Sequence, residues 1–150
     1  MSHVFTYGSL MFGKVWSRVV TGRYIPAAAR LAGFCRQRVR GQDYPALLSA
    51  PPGMAGEQRV VDGVLYLDVE ASDLAALDGF EGPDYRRIQV EVTVGEQVPG
   101  GPPPGGMVLA DAYLYVAADK VESGPWDPQE FERERMDRFL REYAPFSPAP

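Results

Sequence analysis

Ile88-Gln89-Val90-Glu91-Val92-Thr93-Val94 alternates aliphatic and polar side chains without a break. Successive side chains of a β-strand point to opposite faces, so this run reads as a strand with one dry face and one wet face. Upstream of it lies Asp78-Gly79-Phe80-Glu81-Gly82-Pro83-Asp84-Tyr85, which reads as an acidic turn after a single helical turn through Leu74 and Leu77 that Ser72 would cap. Further upstream, Arg59 to Val69 reads as a strand with a turn or bulge at Asp62-Gly63, and Tyr44 to Leu48 as another. Arg23 to Arg40 is interrupted by Pro26 and Gly33, which suits bent or edge strands, with Arg30, Arg36, Arg38 and Arg40 facing water. At the start, Val4 to Tyr7 predicts a short strand broken by Gly8, followed by a brief helix over Val15 to Val20.

Downstream of the alternating run, Gly95 to Gly106 holds four prolines and five glycines and has no periodicity, as expected of a loop within the fold. Ala112 to Ala117 supplies another strand. Asp127, Pro128 and Glu130 then form a capped helix start, with Met136, Phe139, Leu140 and Tyr143 on one face of the helix. Many short strands with few helices between them predict an α+β fold whose mixed or mostly antiparallel sheet curls into a small barrel, closed by a C-terminal amphipathic helix. One domain over 1–150 is expected.

The 150 residues are 45% hydrophobic, enough for one sizeable core. Twenty acidic residues against fifteen basic ones leave a charge of −5, which disfavours nucleic acid and anionic lipid as partners. No apolar run approaches the roughly 20 residues of a membrane-spanning helix, and with the lone Cys35 and no leader-like start, a reducing cytoplasm is expected. One histidine, His3, and one cysteine are too few for a nitrogen and sulfur metal site, and they leave acid/base chemistry mainly to carboxylates, lysine or tyrosine. No metal and no cofactor are expected.

Two stretches invite a functional reading. Gly8, Gly13 and Lys14 have the spacing of a phosphate-binding loop, and Val64 to Asp68 imitates the strand that often accompanies it. That match fails because Val15 stands where a magnesium-binding hydroxyl is needed, and Leu10, Met11 and Phe12 make the loop bulky; Lys14 then reads as a solvated charge. In the acidic turn, a glutamate is ordinarily just hydrated. The glycines around Phe80-Glu81 and the neighbouring Phe80 and Tyr85 could instead hold Glu81 in a semi-apolar pocket, where loss of water raises its pKa and makes it a usable base.

Val4-Phe5-Thr6-Tyr7-Gly8-Ser9-Leu10, Gly63-Val64-Leu65-Tyr66, Leu77-Asp78-Gly79-Phe80-Glu81-Gly82 with Tyr85-Arg86, and Ala112-Tyr113-Leu114-Tyr115-Val116 occur in an order and spacing that resembles the γ-glutamylcyclotransferase-like family. The Trp126-Asp127 segment and the helix after it look most like the branch containing the plant avirulence-induced proteins. The resemblance implies release of 5-oxoproline from a γ-glutamyl small molecule, without metal, with Glu81 as acid/base. It implies that Tyr7, Gly8, Ser9 and Leu10 hold the substrate and that Tyr115 orients either the substrate or Glu81. Tyr85 reads as packing that could close the pocket, and Arg86 or Arg87 could bind a substrate carboxylate if either turned inward. Cys35 and Trp126 read as core. A non-catalytic binding or regulatory protein that keeps the fold is the alternative.

Overall fold

The computed structural model describes residues 2–142. Five strands close a barrel: β1 (Ser2–Thr6), β5 (Val60–Val69), β2 (Pro26–Ala32), β6 (Tyr85–Val94) and β7 (Met107–Tyr115), in that order, with β7 returning to β1 as a parallel pair. The other barrel pairings are antiparallel. A second, three-stranded sheet sets β3 (Phe34–Val39) between β4 (Pro45–Ser49) and β8 (Val121–Pro125). The α+β fold with a mostly antiparallel barrel is therefore as expected.

The alternating run lies in β6, where Val90, Val92 and Val94 are buried and Gln89 and Glu91 are exposed. Those valines meet Phe5, Leu31, Leu65 and Ala112 inside the barrel, joined by Val98 from the 95–106 loop. A second core lies between the outer barrel wall and the helices α1 (Gly13–Val19), α2 (Ala71–Glu81) and the C-terminal helix; Trp16 stacks on Tyr66 there, with centroids 3.7 Å apart. Among the described residues no helix is long and apolar enough to cross a membrane.

Several elements differ from the sequence reading. Asp62-Gly63 makes no turn: β5 runs straight through it, paired residue for residue with β2. Gly63 is needed because a Cβ there would lie 2.2 Å from the Thr6 carbonyl oxygen and 2.6 Å from the Phe5 ring. α2 has eleven residues rather than a single turn, and its N-cap is Glu70, not Ser72. β6 begins at Tyr85 and β7 at Met107, because each pairs with the other over nine positions. β8 went unread, since Val-Glu-Ser-Gly-Pro has no alternation to reveal it. Arg36, expected in water, is half-buried and donates to the Tyr7 carbonyl at 2.8 Å.

The C-terminal helix starts where expected, with the Asp127 carboxylate accepting from the Gln129 N–H at 2.9 Å. It passes from Pro128–Glu130 through a wide π-turn at Phe131–Arg135 into Met136–Glu142. Met136 and Phe139 are buried and Leu140 is half-buried, while Tyr143 lies outside the described residues.

Candidate active site

β1 ends at Thr6, and the chain turns at Gly8 into one tight 3-10 turn over Ser9–Met11, closed by the Met11 N–H donating to the Gly8 carbonyl at 3.0 Å. A Cβ on Gly8 would stand 2.7 Å from Cδ of Pro45, so glycine is what lets this turn lie against β4. Ser9 and Leu10 are buried. As the opening residues of a helical turn, their N–H groups have no acceptor within that turn.

α2 brings Glu81 to the same place. Leu74, Leu77 and Phe80 bury one side of the helix, and Gly82, at φ +78°, ends it in a left-handed conformation suited to glycine. Glu81 is thus the last residue of a helix rather than part of a loose turn. One narrow pocket is lined by Glu81 together with Tyr7, Gly8, Ser9 and Leu10. Tyr44, Pro45, Tyr85 and Tyr113 are also in its wall. Tyr85, read as packing that could close the pocket, stands in this wall, and its hydroxyl donates to the Pro45 carbonyl at 2.6 Å.

Burial pushes the Glu81 carboxyl up to about 8, and the charge of Asp78, one helical turn earlier, adds to the rise. Asp78 is itself held in place, accepting from the Tyr113 hydroxyl at 2.7 Å and from Arg87 Nε at 3.0 Å. Arg87 also donates to the buried Asp111 at 3.3 Å. Arg87 therefore serves this carboxylate network and does not line the pocket, and neither does Arg86. Burial and the bond to Asp78 raise the Tyr113 phenol far above its ordinary range, which keeps it a hydrogen-bond donor. Tyr7 is likewise pushed up, first by burial and then by Glu81, and its hydroxyl donates to the Tyr113 carbonyl at 2.6 Å.

The structure thus brings five of the six expected site residues to one pocket. Tyr115 is the exception. It is buried behind Tyr85, with ring centroids 5.0 Å apart, and its hydroxyl has no partner among the described residues. Tyr113, which shares its strand face, lines the pocket instead. Tyr113 and Asp78 are the residues that sequence reasoning missed. Both stood inside quoted motifs, and Asp78 precedes Glu81 by three positions, a helical spacing that the reading of this stretch as a turn concealed. Lys14 is exposed on α1 and outside the pocket.

Comparison with known proteins agrees with this architecture. Residues 4–128 match the family described as gamma-glutamyl cyclotransferase, AIG2-like. AIG2-like protein D of Arabidopsis thaliana is 28% identical over 142 residues, covering 94% of this chain and 86% of the relative. Protein AIG2 C of the same plant is 26% identical over 142 residues, covering 94% and 78%. Among solved structures, an Arabidopsis thaliana protein in solution superposes with a TM-score of 0.64 at 25% identity, covering 93% of this chain and 78% of that one. A gamma-glutamyl cyclotransferase superposes with a TM-score of 0.60 at 23% identity, covering 85% and 72%, which shows a common fold. Since the match runs from β1 to the first turn of the C-terminal helix, the chain belongs to the AIG2-like gamma-glutamyl cyclotransferase family.

Proposed function

We propose that the protein is a cyclotransferase that releases 5-oxoproline from a small γ-glutamyl substrate, with Glu81 as the proton carrier. One observation supports this most directly: a carboxyl raised to about 8 lines the same pocket as the Tyr7–Leu10 turn. The family and the cyclotransferase fold neighbours support the reaction class.

Ring closure joins the substrate's α-nitrogen to its γ-carbonyl carbon and then breaks the bond from that carbon to the departing amine. Two protons must pass from the α-nitrogen to the leaving nitrogen, with none gained or lost overall. An α-ammonium is no nucleophile, so Glu81 first accepts a proton from it. An α-amino group in a peptide titrates near about 7.7–8.0, so a carboxyl at about 8 exchanges protons with such a group at little cost. The neutral carboxyl then protonates the departing nitrogen, and the ionised carboxyl takes the second proton from the ring nitrogen. The oxyanion formed between these steps suits the N–H groups opening the Ser9–Met11 turn, worth about 3 kcal/mol for a well-aimed donor. The neutral phenols of Tyr7 and Tyr113 add no charge that would compete.

Incubating the protein with a panel of γ-glutamyl dipeptides and γ-glutamylamines and measuring 5-oxoproline tests this reading. Product formed by the wild type and not by Glu81→Gln is the expected result. Substrate binding with no product from either protein would replace it with the alternative, a binding or regulatory role.

A further inference from the structure

A second cavity, of about 450 Å³, lies where β3, the β4–β5 connection and β8 meet. Its wall holds one cation, Arg36, with apolar surface from Met54, Val60 and Trp126. Nη1 of Arg36 is well used: it donates to the carbonyls of Tyr7 at 2.8 Å and Asp62 at 3.2 Å. Its guanidinium carbon lies 5.4 Å from the centre of the Trp126 ring. Nε and Nη2 find no acceptor among the described residues, and no carboxylate pairs with them there. The acidic groups around Arg36 do not supply that partner. Asp62 pairs with Arg30 at 3.0 Å, Asp127 caps the C-terminal helix, and Glu57, which lines the cavity, is exposed. Gln37, also in the cavity wall, accepts from the Gly124 N–H at 3.1 Å through Oε1.

Asp62 and Asp127 act on Arg36 only through space, so its half-buried guanidinium keeps two nitrogens without an acceptor among the described residues, a cost that a bound anion would relieve. Nε and Nη2 are the two nitrogens that form the side-on fork to a carboxylate, and Arg87 uses that same edge on Asp78, at 3.0 and 3.4 Å. We propose that this cavity is a binding site for a small carboxylate bearing an apolar or aromatic group, with the carboxylate on Nε and Nη2 of Arg36 and the apolar part against Met54, Val60 and Trp126. Because the opposite edge of the same guanidinium holds the Tyr7 carbonyl at the head of the pocket turn, occupancy of the cavity is transmitted to Tyr7–Leu10. The binding stands on the cavity alone, whereas its effect on turnover rests on the cyclotransferase reading.

The test is a titration of the isotope-labelled full chain with benzoate, and with benzamide as its neutral counterpart, followed by amide chemical shifts. Benzoate is expected to give saturable shifts at the Trp126 indole N–H and the Ser123 and Gly124 amides, with smaller shifts at Gly8 and Ser9, and to bind at least tenfold more tightly than benzamide. Val60→Trp puts bulk into the cavity from a position outside the Tyr7–Leu10 pocket and should weaken benzoate at least tenfold in a folded protein. Arg36→Lys keeps the charge and removes the fork, and should also weaken it. The site is overturned if benzoate and benzamide bind equally, if Val60→Trp binds benzoate unchanged, if the shifts are confined to Glu81 and Tyr7–Leu10, or if none appear at about 20 mM, where even a weak site should respond. Saturating benzoate should change kcat/KM in the wild type and not in Val60→Trp, and an unchanged value despite retained binding would refute the transmission. Failure of the cyclotransferase reading appears separately, as absence of product in every sample.

Discussion

Glu81 stays protonated near neutral pH because it has lost water and gained a negative neighbour, two effects that act in the same direction. Replacing it by Gln keeps shape and hydrogen-bonding capacity but removes the exchangeable proton. Turnover should fall by about 10³ or more while substrate binding changes only a few-fold, a split that kcat and KM measured together will show. In the wild type the rate limb governed by Glu81 ionisation should rise with pH to a plateau above about 8. Asp78→Asn removes the charge that opposes that ionisation and frees Arg87, and both changes favour the carboxylate. The pH profile of kcat/KM should therefore move to lower pH, and an unmoved or upward midpoint would show that Asp78 does not tune Glu81.

Among the elements, α2 positions Glu81, and its opposite end is tied down by Asp73. That buried carboxylate accepts from the Thr21 N–H, the Thr21 hydroxyl, the Gly22 N–H and the Tyr24 hydroxyl, fastening the helix start to the segment between α1 and β2. Burial alone would raise its pKa, but these hydrogen bonds outweigh burial and hold it at about 2. Asp73→Ala leaves their donors unsatisfied and should cost about 2–3 kcal/mol in urea unfolding. Gly63→Ala strikes a different element. Its Cβ would collide with the Thr6 carbonyl and the Phe5 ring, prising β1 from β5 just before the pocket turn. A loss of about 3 kcal/mol or more is expected, and a variant as stable as wild type would mean that β1 can shift to make room.

At the scale of the whole molecule, Asp73 and Glu81 give opposite pH dependences of stability. Asp73 has a lowered folded-state pKa, so its contribution is present above about 4 and is lost as the pH falls towards 2. Glu81 has a raised one, so its neutral form costs nothing below pH 4.5, and stability drains away as the pH climbs from there to about 8. Glu81→Gln lacks this second loss. It should match the wild type near pH 4.5 and exceed it by about 2–4 kcal/mol at pH 8.5, which denaturant melts at the two pH values will read.

Local patterns carried much of this molecule. The alternation in Ile88–Val94, the breaks at Gly8 and Gly33, and the Asp127 cap are written in neighbouring residues, because strand pleat and helix start depend on positions a few residues apart. α2 was legible only as one turn, since Gly79 is a poor helix former, and the burial of Leu74, Leu77 and Phe80 overrides that preference. The amino-acid order implied a barrel, its acidic turn offered Glu81 as a possible base, and the family resemblance of its motifs singled out Glu81 and Tyr7–Leu10 as candidates. Only the tertiary structure decided that these two segments share a pocket, that Tyr113 rather than Tyr115 lines it, and that Asp78 and Arg36 adjoin it. Burial, charge proximity and the pKa shifts that follow from them come from segments far apart in the chain, and no local pattern records which of those will meet.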